Sequence, residues 1–148
     1  MSPDTLFELC NKVALLGWLL LVVAGRKRWA SSLVTAVLFP LLLALVYSFL
    51  VPLHWREAQG SFNTLSGVAA LFASRWLLLA GWIHYLAFDL FIGNWEVRDA
   101  MKNRIPHWAV IPCLILTFLF GPTGLLFYFV LRFAVRRNFE IVETGEVT

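Results

Sequence analysis

The sequence predicts an all-α integral membrane protein, a single domain over residues 1–148 built as a bundle of four transmembrane helices. Hydrophobic residues make up 60% of the chain and charged residues only 14%, whereas soluble domains carry about 25% charged residues. In addition, four apolar segments have roughly the 20 residues that a helix needs to cross the hydrocarbon core of a membrane. We place these spans at residues 6–25, 29–53, 76–95 and 108–131.

The four segments differ in how closely they match an ideal span. The first begins with Glu8 and Lys12, which are four residues apart in the favourable order for a helical ion pair, and is uncharged only after them. The second carries no charge, and Pro40 inside it should kink the helix. The third holds a histidine and an aspartate near its middle. The fourth is uncharged but contains Pro112 and the turn-like run Gly121-Pro122-Thr123-Gly124.

The tryptophans support these boundaries. Tryptophan favours the interface between membrane and water, where its ring is apolar and its N–H can still be solvated. Five of the seven tryptophans lie at or just outside the end of a proposed span, and these are Trp29, Trp55, Trp76, Trp95 and Trp108.

The fourth segment decides on which side of the membrane the chain ends. With four spans, six basic residues share a side with the loops 26–28 and 96–106, and five lie opposite. A re-entrant hairpin that turns at residues 121–124 would change this balance to nine against two. We expect four spans, because 24 uncharged residues more often form a kinked helix, and we keep the hairpin as the alternative. In both cases we expect the two loops to be cytoplasmic, in a bacterial inner membrane, and the acidic tail 138–148 to be exposed.

The charged residues argue against nucleic-acid and metal binding. The net charge of +3 comes from basic clusters beside span ends, where they act as topology signals. His84, Asp89, Glu96 and His107 are suitable ligand types, but their spacing matches no standard metal motif. We therefore predict no nucleic-acid partner, no metal and no other cofactor.

The third segment carries the candidate site. His84 lies near its middle and Asp89 follows five residues later, about 7.5 Å along a helix. An ionisable group at that depth costs at least ~2.5–3.5 kcal/mol and normally marks a functional site. The two side chains are about 140° apart around an ideal helix, so they are poor direct partners, although both can border one cavity. Asp89 and Glu96 share one stripe, and Gly93 leaves a notch beside them.

Simpler interpretations exist for the neighbouring residues. Glu96, Arg98 and Asp99 lie near the end of the span and are also consistent with ordinary interfacial charges. His84 can be a neutral side chain that only hydrogen-bonds a carbonyl group. His107, just before the fourth segment, can join the polar group or serve as an interfacial aromatic residue.

Two runs of sequence carry a family resemblance: GWIHYLAFDLFIGNWEVRD, residues 81–99, and IPHWAVIPCLILTFLFGPTGLLFYFVLR, residues 105–132. Over roughly residues 60 to 135 the chain resembles the abscisic-acid-deficient-four-like membrane proteins, a family named after a plant chloroplast protein needed to make neoxanthin. The resemblance implies a small four-span protein linked to the conversion of violaxanthin to neoxanthin. That step opens an epoxide and makes an allene without net redox change.

The resemblance also implies acid–base chemistry, in which an acid protonates the epoxide oxygen while a base removes a carbon-bound proton. His84 and Asp89 are the residues carried over as catalytic. A protonated Asp89 would be the acid and His84 the base, or the reverse.

We therefore predict a membrane-embedded protein that binds a lipophilic isoprenoid, such as a carotenoid, and isomerises it. Its other partners would be membrane lipids and a second copy of the chain. The alternatives are a small transporter or proton-relay subunit, and a scaffold for an enzyme of a pigment pathway. The expected binding residues are Trp82, Tyr85, Phe88, Gly93, Trp95, Glu96, Arg98, Asp99 and His107.

Overall fold

The computed structural model describes residues 1–27, 29–57 and 59–137, and all regular structure within these ranges is helical. The all-α prediction is therefore confirmed for the described residues. The predicted tail 138–148 and the basic residue Arg28 lie outside them. The helices are α1 (Pro3–Ala24), a π-helical stretch (Ala30–Leu38) that continues into α2 (Phe39–His54), a short 3₁₀ turn (Trp55–Glu57), α3 (Leu65–Phe72), α4 (Arg75–Lys102), α5 (His107–Phe120) and α6 (Pro122–Arg136).

Among the residues that the structure describes, three helices are long and apolar enough to cross a membrane: Pro3–Ala24, Val34–His54 and Arg75–Lys102. They overlap the first three predicted spans. At its start, α1 has Pro3 in the first turn, and the Ser2 hydroxyl accepts a hydrogen bond from the backbone N–H of Thr5, which is a typical helix N-terminus.

Helix α4 is the centre of the fold, and α1 runs parallel to it. Asp4 forms an ion pair with Arg75 where both helices begin. At the other end of the pair, a side chain on Gly25 would contact Val97. The two helices are therefore in contact from the Arg75 end of α4 almost to its Lys102 end.

Helix α2 runs antiparallel to α4. The His54 ring stacks on the Trp76 ring at the Arg75 end, with 4.6 Å between the ring centroids. Towards the Lys102 end, the Thr35 hydroxyl donates a 2.8 Å hydrogen bond to Oδ1 of Asn94. Thr35 lies in the π-helical stretch, and both residues are buried. The chain between α1 and α2 consequently lies at the Lys102 end.

Residues 108–131 do not form the single fourth span that the sequence predicted. The segment is divided at Gly121, whose φ of +45° lies in the left-handed region that favours glycine. Pro122 then begins α6, a position that suits its fixed φ and missing N–H. The four-span bundle is therefore not confirmed.

The two helices form a hairpin that starts and ends at the Lys102 end of α4. Helix α5 begins there, since Nε2 of His107 is 2.8 Å from the carbonyl oxygen of Val22, near the end of α1. The turn at Gly121 lies against Asp89, in the middle of α4, and α6 returns until Arg132 contacts Asp99. The alternative that turns back at residues 121–124 matches this path. The chain turns back here because the hairpin gives the buried polar groups on α4 hydrogen-bond partners from both of its arms.

Candidate functional site

A row of polar side chains lies between α4 and the α5–α6 hairpin. Asp89 and Glu96 lie on nearly the same face of α4, because seven residues are almost two full turns of a helix. Asp99 lies three residues beyond Glu96 and about 60° further around the same side. The hairpin supplies Thr117, Tyr128 and Arg132. We call these six residues the polar row.

At the Lys102 end the polar row is closed by a buried ion pair. Nε of Arg132 donates to Oδ2 of Asp99 over 2.8 Å, and the Tyr128 hydroxyl donates to the same oxygen over 2.6 Å. All three residues are buried. A buried carboxylate with a cation and a hydroxyl as partners is satisfied, so this end of the row holds the hairpin on α4 and has no open position for chemistry.

Glu96 is only half satisfied. Its side chain has no solvent exposure, and its Oε1 accepts a 2.9 Å hydrogen bond from the Thr117 hydroxyl. Its Oε2 is buried and has no hydrogen-bond partner among the residues that the structure describes. Buried polar atoms in native proteins nearly always have a partner, so an unpartnered carboxyl oxygen needs an explanation.

Asp89 lies under the turn of the hairpin. It is half-buried, and a Cβ built on Gly121 would lie only 3.0 Å from its Oδ1. Its Oδ2 is also buried without a hydrogen-bond partner in the described part of the chain. The nearby Tyr85 hydroxyl donates to the Phe118 carbonyl oxygen over 3.0 Å, at the end of α5. The end of α5, the turn at Gly121 and the Asp89 carboxyl group therefore lie close together.

An uncovered apolar face of α4 leads to Asp89 from the Arg75 end. The hairpin covers α4 only from the Lys102 end to Gly121, and beyond the turn Leu78 and Trp82 are 54% and 40% exposed. The Trp82 ring lies 5.2 Å from the Tyr85 ring, and its indole N–H donates to the side-chain oxygen of Asn11. Because positions 78, 82, 85 and 89 follow helical spacing, this face ends at the Asp89 carboxyl group.

The structure does not bring His84 to Asp89. His84 is exposed on the α2 side of α4, and its ring lies 4.5 Å from Phe88 and 5.8 Å from Tyr47. Asp89 faces the hairpin instead. The predicted catalytic pairing of these two residues therefore stays a prediction, and the contacts connect each residue to a different part of the fold.

Three other predicted binding residues lie outside the polar row. Trp95 supports the hairpin, because its ring packs on Tyr128 and Phe129 at 5.6 Å from each. Gly93 is buried where α4 meets Trp18, so the predicted notch is filled by α1. Arg98 is exposed at the Lys102 end.

Phe88 lies on a different surface from the polar row. It lines an apolar groove of about 380 Å³ between α2 and α4, together with Pro40, Leu41 and Phe91. No polar side chain is among the residues that line this groove.

Sequence reasoning missed the three hairpin residues of the polar row. Thr117, Tyr128 and Arg132 lie in or at the end of a segment that hydropathy identifies only as apolar. The hairpin alternative is the signal that could have identified them, because a segment that turns back brings its polar residues to α4. Within the described residues, no group of three or more histidine, cysteine, aspartate or glutamate side chains is arranged to hold a metal ion.

A comparison with protein families identifies a match. The family model described as ABA DEFICIENT 4-like matches residues 5–128, most of the chain. No curated protein and no solved structure matches it significantly.

Proposed function

The chain belongs to the ABA DEFICIENT 4-like family, and on this premise we propose that it binds a lipophilic isoprenoid, such as a carotenoid, within the membrane and isomerises it by acid–base catalysis at Asp89. One observation carries the proposal. Two carboxyl groups on one face of α4, those of Asp89 and Glu96, each keep one buried oxygen without a partner among the described residues. The Asp89 carboxyl group lies at the end of an uncovered apolar face of α4.

Asp89 is the catalytic residue because it is the carboxyl group that a substrate can touch. A lipophilic molecule lying along Leu78, Trp82 and Tyr85 would bring its reacting carbon atoms to the half-buried Asp89 carboxyl group, whose Oδ2 is itself enclosed by protein. The half-buried position keeps bulk water away from the reaction while leaving the carboxyl group accessible from the apolar side. Glu96 is fully enclosed, so it cannot touch the substrate and acts through Asp89 as a positioning residue. As a second carboxyl group on the same face, it influences where the proton resides.

For an epoxide substrate the reaction balances without an added reagent. Asp89 gives its proton to the epoxide oxygen as the carbon–oxygen bond breaks, which leaves electron deficiency on carbon. The Asp89 carboxylate then removes a proton from a neighbouring carbon, and the electron pair of that carbon–hydrogen bond forms the new double bond. The proton returns to Asp89, so atoms and charge balance and no redox cofactor is required.

We assign the Lys102 end of α4 to the cytoplasmic side. Lys and Arg concentrate in cytoplasmic loops. Eight basic residues of the described ranges lie in segments that meet at this end, against Arg56 and Arg75 at the other. The eight are Arg26, Lys27, Arg98, Lys102, Arg104, Arg132, Arg136 and Arg137. The hairpin would then enter the membrane from the cytoplasmic side and end at mid-depth, where protein contacts can satisfy its turn.

The test is pigment conversion in a bacterium that makes an epoxy carotenoid. We expect cells with the wild-type protein to accumulate an isomer of equal mass, measured by chromatography and mass spectrometry. Asp89→Asn should abolish this product, because the amide can neither give nor take the proton, and Glu96→Gln should reduce it. Glu8→Gln is the matched control, since this exposed carboxyl group on α1 pairs with Lys12, far from the polar row.

All four proteins must be present at equal membrane levels. Wild-type amounts of product from Asp89→Asn would overturn the proposal. Loss of product in His84→Ala with full activity in Asp89→Asn would instead support His84 as the essential residue.

A proton relay is the second candidate function. It is favoured by the polar row itself, which runs along α4 from Asp99 at the Lys102 end through Glu96 to Asp89. A relay predicts proton flux into vesicles that contain the purified protein, and loss of that flux in Asp89→Asn. Flux without pigment conversion would select the relay over the isomerase.

A further inference from the structure

A second pocket lies in the Arg75 half of the molecule, on the opposite flank of α4 from the polar row. Its volume is about 230 Å³, and aromatic rings form much of its wall: Tyr47, Trp55, Phe62, Phe72 and His84. Helices α2 and α4 form its sides. Residues from the connection between α2 and α4, among them Phe62 and Phe72, form its roof.

The roof is closely fitted to α4. A Cβ built on Gly81 would lie 2.8 Å from Cε1 of Phe72, so this glycine allows the ring to approach the helix. The Phe62 ring stacks on Trp55 with 5.6 Å between centroids. The Thr64 hydroxyl accepts a 3.0 Å hydrogen bond from the Gly67 backbone N–H and so caps α3, which carries Leu71 and Phe72. The pocket therefore has an aromatic cover, which suits an apolar ring.

Two polar side chains point to the chemistry of the ligand. The rings of Tyr47 and His84 are 5.8 Å apart and both line the pocket. Neither the hydroxyl nor the imidazole forms a hydrogen bond with any residue in the ranges that the structure describes. His84 is nine residues from Arg75, about 13.5 Å along the helix, so both groups lie at a depth where hydrocarbon offers no partner.

We propose that this pocket binds the cyclic end of a lipid-soluble molecule that carries a hydroxyl or carbonyl oxygen, and that Tyr47 and His84 hydrogen-bond that oxygen. The aromatic walls hold the ring, and the two polar groups select for the oxygen, as in pockets where a few polar groups fix the orientation of an apolar ligand. Two sources have this chemistry: a carotenoid with a hydroxylated ring, and an isoprenoid quinone. The site is separate from Asp89, and binding here requires no reaction.

Binding of three probes to the purified full chain in lipid nanodiscs tests the proposal. Zeaxanthin and β-carotene share one carbon skeleton and differ only in the ring hydroxyl groups, whereas ubiquinone carries ring carbonyl groups. We expect zeaxanthin or ubiquinone to be retained at about one molecule per protein and β-carotene to be retained at least tenfold less well. Whichever oxygen-bearing probe binds identifies the source. Equal retention of all three probes, or retention of none, would overturn the proposal.

Variants connect the selectivity to the two polar groups. Tyr47→Phe removes one hydroxyl and His84→Leu removes the imidazole, and each should weaken binding of the oxygen-bearing probe about fivefold, as expected for one lost hydrogen bond. Neither change should alter β-carotene retention. Ser48→Ala is the matched control, because it removes a hydroxyl from the adjacent residue of α2, which does not line the pocket.

One result with these variants would contradict the proposed hydrogen bonds to the ligand oxygen. Unchanged binding of the oxygen-bearing probe in both Tyr47→Phe and His84→Leu would contradict the proposed role of these groups. Because retention is measured without turnover, it can succeed where the isomerase assay fails, and the two proposals are tested separately.

Discussion

Arg132 donates its Nε hydrogen bond to Oδ2 of Asp99 over 2.8 Å, although 33 residues separate the two positions. The pair is buried and connects the end of the hairpin to the end of α4. Tyr128 reaches the same carboxyl oxygen, so a single carboxylate holds two positions of α6.

Breaking this ion pair should strongly destabilise the protein. Arg132→Met leaves the Asp99 carboxylate buried without its cation, and removal of one partner of a buried pair typically costs about 3–5 kcal/mol. We expect a clearly lower midpoint of thermal unfolding in detergent. Arg136→Met is the matched control, since Arg136 lies one turn away and is exposed. The double variant Asp99→Leu, Arg132→Met should recover part of the loss, and equal midpoints for Arg132→Met and Arg136→Met would contradict this role.

The packing of the hairpin on itself depends on Gly124. A Cβ at this position would overlap the backbone nitrogen and the hydroxyl of Thr117. Gly124→Ala must therefore separate the two arms, and we expect a loss of about 1–3 kcal/mol in unfolding free energy, as for other overpacked sites. Thr123→Ala, a change at the exposed neighbour, should have little effect. A Gly124→Ala protein as stable as wild type would show that the arms are not in contact.

The hairpin also fixes the side on which α6 ends. We expect single cysteines introduced by Arg104→Cys and Arg136→Cys to be labelled by an impermeant thiol reagent from the same side of the membrane. Arg56→Cys should be labelled from the opposite side. The two natural cysteines, Cys10 and Cys113, are buried and should give little background. Labelling of position 136 together with position 56 would instead require a fourth crossing.

Thr117 should act on the candidate site through Glu96. Its hydroxyl is the observed partner of Glu96 Oε1, so Thr117→Val leaves that carboxyl group without a hydrogen bond while keeping the side-chain shape. If the proposed isomerase activity is present, we expect product formation to fall about fivefold or more. Thr117→Ser, which keeps the hydroxyl, should retain most of the activity. Equal losses in both variants would indicate a packing role only.

The three long segments that contain α1, α2 and α4 could be predicted, because length and hydropathy suffice for a segment that simply crosses a membrane. The hairpin could not, since a run of 24 apolar residues has the same hydropathy whether it crosses or turns back. The deciding features are the positive φ of Gly121 and the pairing of Arg132 with Asp99, and both depend on contacts that hydropathy does not represent.

The candidate site could be predicted only where it depends on helical spacing within one segment. Helical spacing placed Asp89 and Glu96 on one stripe of the third segment, and their buried unpartnered oxygens lie between α4 and the hairpin. Spacing also put His84 and Asp89 about 140° apart, and the structure directs them to different neighbours. The partners of Glu96 and Asp99 come from residues 21 to 33 positions later, and local sequence gives no signal for such distant contacts.

A hairpin that enters a bilayer and leaves on the same side displaces lipid from one leaflet only. In the proposed orientation, the leaflet at the Arg75 end holds α1, α2 and α4 with only the short α3 beside them, whereas the leaflet at the Lys102 end also holds both arms of the α5–α6 hairpin. A body of this shape is a wedge, and it fits best where the membrane curves so that the wider leaflet is stretched. We would expect it to concentrate in bent membrane regions, so that the turn at Gly121 bears on where in a cell the protein accumulates as well as on the position of Asp89.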